Sequence, residues 1–171
     1  MKANTLPQTE LVAFLLQAKR STYAAGGSDS QAVVRASLPD SHQLEYRSGD
    51  LLYRDIYFGE AYFVGQETVY QGNHAIYAMC YAGGWVQPMP KPTEISRLGG
   101  FLQDALKQIP EDYPFRGPLE YRQEEVIYRN EPNGDLSRFW GVEQIYIEDL
   151  LVHKLHYCGG LLEPQSISLD S

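Results

Sequence analysis

The chain has 171 residues, 43% of them hydrophobic, which is enough for one good-sized core, so residues 1–171 are expected to form a single domain. Its formal net charge of -8 excludes a surface that tracks nucleic-acid phosphates, since that requires clustered Lys and Arg. The sequence has no run of about 18 apolar residues, and the opening MKANTLPQTE lacks a positive region followed by an apolar one. A soluble, cytoplasmic chain with no membrane contact is therefore expected.

Residues 5 to 23 have the spacing of a helix, with Leu11, Phe14, Leu15 and Ala18 on one face, Thr5 or Thr9 as N-cap and Gly26-Gly27 as the stop. Residues 24 to 43 form a long connection, the length expected of a lid, a binding loop or a partly disordered segment, with Ala32 to Ala36 as a candidate edge strand. Three strands then follow, Leu51 to Phe58, Ala61 to Gln71 and His74 to Ala82, separated by turns at Gly59-Glu60 and Gly72-Asn73. After the proline-bearing linker Gly83 to Arg97, a second amphipathic helix runs from about Ser96 to Ile109 and stops at Pro110. EDYPFRGP leads into a second meander, with strands near Glu124 to Asn130, Asp135 to Ile147 and Leu150 to Cys158.

The two meanders match in sequence. Leu44 to Arg47 and Leu119 to Arg122 both read LEYR, Tyr53-Arg54 corresponds to Tyr128-Arg129, and after one extra residue in the second copy Phe63, Gly65, Glu67 and Tyr70 correspond to Phe139, Gly141, Glu143 and Tyr146. Tyr81 and Gly83-Gly84 correspond to Tyr157 and Gly159-Gly160. So long a period indicates a duplicated half-domain and not an array. The expected fold is α+β, with pseudo-repeats 5–84 and 95–160. Each repeat is a helix plus a three-stranded antiparallel meander, together giving one curved sheet of about six strands with both helices on one face. With two-residue turns at Gly72-Asn73 and Glu148-Asp149, Glu143 is expected to face Lys154 on an outward surface, and apolar residues fall on both faces of the sheet.

Thirteen tyrosines against six phenylalanines are many hydroxyls for a core, because each buried one needs a partner. A Tyr-lined hollow accounts for them, and so do sheet margins where the hydroxyls meet water. The ligand-binding candidates are Tyr53, Tyr77, Tyr81, Trp140 and Tyr157, with His42 at the mouth of the long loop and Arg116 as an anion contact. Arg116 has an alternative role, capping the second helix or pairing with Glu111 or Asp112. Glu67 and Glu143 are a formal acid and base pair, but retention in both copies is also what a shared structural role predicts. No catalytic residue is assigned. Asp40 and Ser41 beside His42 read as turn residues. The four histidines show no metal-ligand spacing, and no metal or cofactor is expected. Cys80 and Cys158 are expected to stay reduced.

The runs LEYRSGDLLYRDIYFG, FVGQETVY and YPFRGPLEY resemble a bacterial family catalogued as domain of unknown function 5680, whose members occur alone or behind a helix-turn-helix of the XRE type. The resemblance extends from about Glu10 to Gly160, and this chain looks like the stand-alone form. It implies effector sensing or partner binding and supplies no catalytic residues. Two functional readings remain open: a non-catalytic domain that binds or senses a small molecule, and an interaction module, acidic partner-binding or homodimeric. A small enzyme using Glu or His is a third.

Overall fold

Each LEYR segment, to which no strand was assigned above, falls in one, with Leu119 just ahead of the second. The structure, a computed structural model, describes residues 6–22, 32–86 and 92–162. In chain order these form α1 (Gln8–Ser21), β1 (His42–Ser48), β2 (Leu51–Phe58), β3 (Tyr62–Gln71), β4 (His74–Trp85), α2 (Pro92–Lys107), β5 (Glu120–Gln123), β6 (Val126–Asp135), β7 (Arg138–Ile147) and β8 (Leu150–Leu161). The expectation of six strands in two three-stranded meanders is overturned. All eight strands lie in one antiparallel sheet in the order β1-β2-β3-β4-β8-β7-β6-β5. β1 and β5 were missed because each is a short edge strand, and the Leu-Glu-Tyr-Arg pattern alternates over too few residues to stand out.

Tight turns set the register. Gly49, Glu124, Gly72 and Glu148 have φ of 59°, 54°, 58° and 53°. Each is the first residue of a two-residue loop, where hairpins favour a left-handed φ. The extra residue of the second matching segment lies in a turn: β6 and β7 stay paired to Asp135 and Arg138 around Leu136-Ser137, whereas the ladder between β2 and β3 ends at Phe58 and Val64.

Bulges decide which side chains face inward. Val69 pairs with Tyr77 but Tyr70 pairs with Ala75, leaving Ile76 as the extra residue, and Ile145 pairs with His153 but Tyr146 with Leu151, leaving Val152. A bulge reverses the alternation beyond it. Glu143 is therefore opposite Leu155 and faces inward, while Gln144 is the residue opposite Lys154. The expected outward Glu143–Lys154 pair does not form. Because the bulged residues Ile76 and Val152 also pack against the core, apolar residues had seemed to occupy both faces.

Both helices cover the inward face. Leu11, Phe14, Leu15 and Ala18 of α1 pack on Tyr53, Val69, Tyr77 and Met79, and Leu98, Phe101 and Ala105 of α2 pack on Val126, Tyr128 and Ile145. α1 starts after Pro7, whose carbonyl accepts from the amides of Glu10 and Leu11 at 3.0 and 3.1 Å. No side-chain cap from Thr9 forms, and Thr5 and Gly26-Gly27 lie outside the described residues. α2 begins at Pro92, four residues before the expected start, a position that suits proline. Arg20 of α1 donates to the carbonyls of Lys107 and Ile109 at 3.3 and 3.0 Å, tying the two helix ends together. Within the candidate edge strand, Val33 forms a single antiparallel bridge to Leu44. Residues 24–31 of the expected lid, and residue 23 at the end of the expected first helix, lie outside the described residues.

The halves join where β4 pairs with β8, Tyr81 opposite Tyr157 and Gly83 opposite Leu155. A Cβ on Gly83 would stand 2.3 Å from the Leu155 Cα and from the Lys154 carbonyl oxygen, and backbone cannot yield there cheaply. Gly83→Ala is expected to lower stability by on the order of 3 kcal/mol in urea unfolding. Gly100, in α2 with open space around it, is the control: Gly100→Ala is expected to gain about 0.5–1 kcal/mol. A wild-type midpoint for Gly83→Ala would show that the join is not closely packed.

Candidate ligand-binding site

Glu67 on β3 and Glu143 on β7 are fully buried, and each has a buried cation. Lys19, the last inward position of α1, ion-pairs with Glu67 and donates to the Phe115 carbonyl at 2.8 Å. Arg116 grips Glu143 through two parallel bonds, Nε to Oε2 at 2.9 Å and a terminal nitrogen to Oε1 at 3.1 Å, the geometry in which guanidinium binds carboxylate most strongly. Arg116 thus pairs with neither Glu111 nor Asp112, and Arg20 holds the end of α2 instead. Each of the two glutamates is held by its own cation.

Arg116 reaches Glu143 because residues 113–118 enter the core. Phe115 is fully buried and stacks on Phe139 with ring centroids 3.7 Å apart. The Gly117 amide donates to the Tyr128 hydroxyl at 2.9 Å, and that hydroxyl donates to Glu143 at 2.9 Å. A Cβ on Gly117 would approach the Tyr128 hydroxyl to 2.7 Å, so the passage suits glycine. Burial pushes Glu143 upward, but the charge and hydrogen bonds of Arg116, with the hydrogen bond from the Tyr128 hydroxyl, leave it below the ordinary carboxylate value. Burial lowers Lys19 more than Glu67 raises it.

Beside these pairs, Tyr81 donates to Asp55 at 2.7 Å and Tyr157 donates to Asn130 at 2.8 Å. Asp55 and Asn130 occupy matching places, opposite Glu67 and Glu143 on their neighbouring strands. An amide serves the tyrosine as acceptor in one half, and a carboxyl serves in the other. Burial, then the charge of Glu67, raise Asp55 from 3.8 to about 7, against the Tyr81 hydrogen bond and the charges of Lys19 and Arg116. The Tyr81 hydroxyl is raised well above its ordinary value by burial and by Asp55.

Asp55 lines a hollow of about 410 Å³ between the sheet and α2. Tyr57, Phe63, Tyr81 and Trp85 give it aromatic walls, Leu44, Leu102 and Leu106 are its apolar contacts, and Arg116 and His153 lie within it. Exposed His42 stacks on Tyr57 at 4.8 Å at its edge. His153 is 1% exposed, between Trp85 and Phe63, and among the described residues neither ring nitrogen has a hydrogen-bond partner. Burial lowers its pKa more than Glu143 raises it, so the ring is held neutral.

Three of the seven ligand candidates, His42, Tyr81 and Arg116, meet at this hollow. Tyr53 and Tyr77 are fully buried beneath α1, and Tyr157 is directed to Asn130 in the other half. Trp140 is 55% exposed on the opposite face, where a broader groove of about 860 Å³ lies open. That groove is the larger but holds none of the buried ion pairs. Asp55 and His153 were missed. The available signal was that Asp55 stands where the matched segment has Asn130, a carboxyl in place of an amide. Asp40, with φ 56°, and Ser41, which donates to the Leu38 carbonyl at 2.8 Å, form a turn. Among the described residues no group of three or more His, Cys, Asp or Glu is arranged to hold a metal ion, and no helix is long and apolar enough to cross a membrane.

A family model described as a domain of unknown function (DUF5680) matches residues 55–162. No curated protein and no solved structure matches the chain.

Two outcomes follow from the buried charges. Lys19→Met leaves Glu67 without its ion pair and is expected to cost about 3–5 kcal/mol, most of it recovered in Lys19→Met/Glu67→Gln. Urea unfolding of the four-member cycle reads this, and additive losses would show that the pair is not coupled. Asp55, held at about 7 and not 3.8, favours the folded state fully below pH 3.8 and loses that contribution as pH rises through about 7. Asp55→Asn, imitating Asn130, removes this titration. Its stability relative to wild type is expected to rise between about pH 4 and pH 8, by on the order of 1–3 kcal/mol. A constant difference across that range would show that Asp55 titrates as an ordinary carboxyl.

Proposed function

The chain belongs to this family of unknown function, and from the hollow beneath α2 we propose that it binds a small, flat molecule carrying hydrogen-bonding nitrogen or oxygen, without acting on it chemically. The observation that carries this reading is His153: a buried imidazole with neither nitrogen partnered among the described residues, lining the same aromatic-walled hollow as Asp55. Leaving such a group unpaired costs about 1–3 kcal/mol, and a ligand that bonds to it recovers that cost. The volume supports this, since small-molecule sites have volumes of roughly 300–1,000 Å³ and a few convergent polar groups. The carboxyl of Asp55 and the neutral ring of His153 together suit a nitrogen heterocycle or aromatic amine better than an anion.

A second reading is favoured by a separate observation. Phe58, Tyr62, Val64 and Trp140 are 42–62% exposed on the outer face, an apolar surface of the kind that self-association covers. Light scattering tests a homodimer through that face, and a monomer at every concentration would eliminate it.

Thermal-shift screening with nucleobases, aromatic amines and matched carboxylic acids tests the first reading. A bound base or amine at 100 times its Kd is expected to add about 2.7 kcal/mol, a shift of several degrees, and His153→Phe is expected to abolish the shift while the protein stays folded. Shifts that persist in His153→Phe and disappear in Trp140→Ala would move the site to the outer face and refute the reading.

A further inference from the structure

The two cysteines of the chain are 78 positions apart, yet Cys80 on β4 and Cys158 on β8 are direct partners in the antiparallel register. Both are free and exposed, and both line the outer groove, on the side of the sheet away from the hollow beneath α2. Val86 donates to Val152 and Leu162 to Ile76, at 3.0 and 2.9 Å. The alternation of the ladder therefore makes Cys80 and Cys158 a hydrogen-bonded pair, with Cα atoms about 5.5 Å apart. Disulfides span Cα separations of about 4.4–6.8 Å. Ala78 and Ala82 flank Cys80 on the same face and Gly160 lies beyond Cys158, while on the outer strands the Cys80 thiol donates to Gln66 Oε1 at 3.8 Å and Trp140 stands opposite Cys158. The Cys80 thiol is pushed up by burial and by the facing Cys158, the direction expected when two sulfurs are close.

We propose that Cys80 and Cys158 are a dithiol site for exchange with low-molecular-weight disulfides of the glutathione class, closing to a reversible disulfide across the join between β4 and β8. The thiolate of one cysteine attacks a sulfur of the small disulfide, forming a mixed disulfide and releasing one small thiolate, which takes up the proton. The facing cysteine, losing its own proton, then displaces the second small thiol. The small disulfide is reduced to two thiols and the protein dithiol is oxidised, with no other reactant. Hydrogen-bonded cross-strand positions hold Cβ atoms about 5–5.5 Å apart, wider than the roughly 3.5–4.5 Å of a disulfide, so closure draws the two strands together and strains the bond, and exposed, strained disulfides are the readily reduced ones.

Folded wild-type protein incubated with oxidised glutathione, then quenched with acid for intact mass and thiol titration, tests this. The expected product is a monomer lighter by two hydrogens with no free thiol, melting roughly 5–10 °C higher because the crosslink restricts the unfolded chain and restored by dithiothreitol. Cys80→Ser and Cys158→Ser are each expected to stop at a single glutathione adduct. Wild-type protein that accumulates one or two adducts, forms linked dimers or keeps both thiols would overturn the proposal, and these wild-type results do not depend on how the variants fold.

Discussion

Two carboxylates buried beneath helices impose the main constraint on this molecule. Glu67 and Glu143 are both fully inaccessible, and an unpaired charge in such a place costs several kcal/mol. Each half supplies its cation from a different element: α1 brings Lys19 from above, and residues 113–118 bring Arg116 from within. These requirements position the rest. α1 must lie with its last turn over β3, and Phe115 must enter the core so that its carbonyl meets Lys19 while Arg116 reaches Glu143. The hollow beneath α2 results from this placement, since Arg116 forms part of its wall.

Much of this architecture was legible in the sequence where local rules operate. The two-residue turns at Gly72 and Glu148 and the apolar face of α1 followed from spacing and turn chemistry, as did the correspondence of Gly65 with Gly141, where each glycine lets a facing tyrosine lie across it. The single-residue bulges were not legible. Ile76 and Val152 are ordinary strand residues, and only the packing beneath the helices selects them as the ones left over. One such residue per half moved Glu143 from an outward pair with Lys154 to an inward pair with Arg116. Lys19 did carry a signal: it follows Leu11 and Leu15 at intervals of four, on the apolar stripe of α1. A lysine near a helix C-terminus ordinarily faces water and interacts with the helix dipole, and that default hid it.

The two halves are also informative where they differ. Asn130 shows that an amide is sufficient to accept the bond from its tyrosine, so the carboxyl of Asp55 goes beyond what packing requires and introduces a charge that the fold holds poorly. Residues retained against a structural cost concentrate at sites of function. Asp55 lines the hollow, as does an imidazole that the core leaves without a bond among the described residues.

The join between β4 and β8 has a consequence for how the chain assembles. β1 to β4 are consecutive hairpins and can zip locally, as can β5 to β8, but the ladder that unites them links Tyr81 to Tyr157, and closing so long an intervening segment is slow. As the chain leaves the ribosome, β4 presents a twelve-residue edge of unpaired amides and carbonyls until β8 emerges. An edge of that length can be captured by the same strand of another chain. The edge that carries Gly83, where the two halves approach closely, is thus also open to exchange between copies during synthesis.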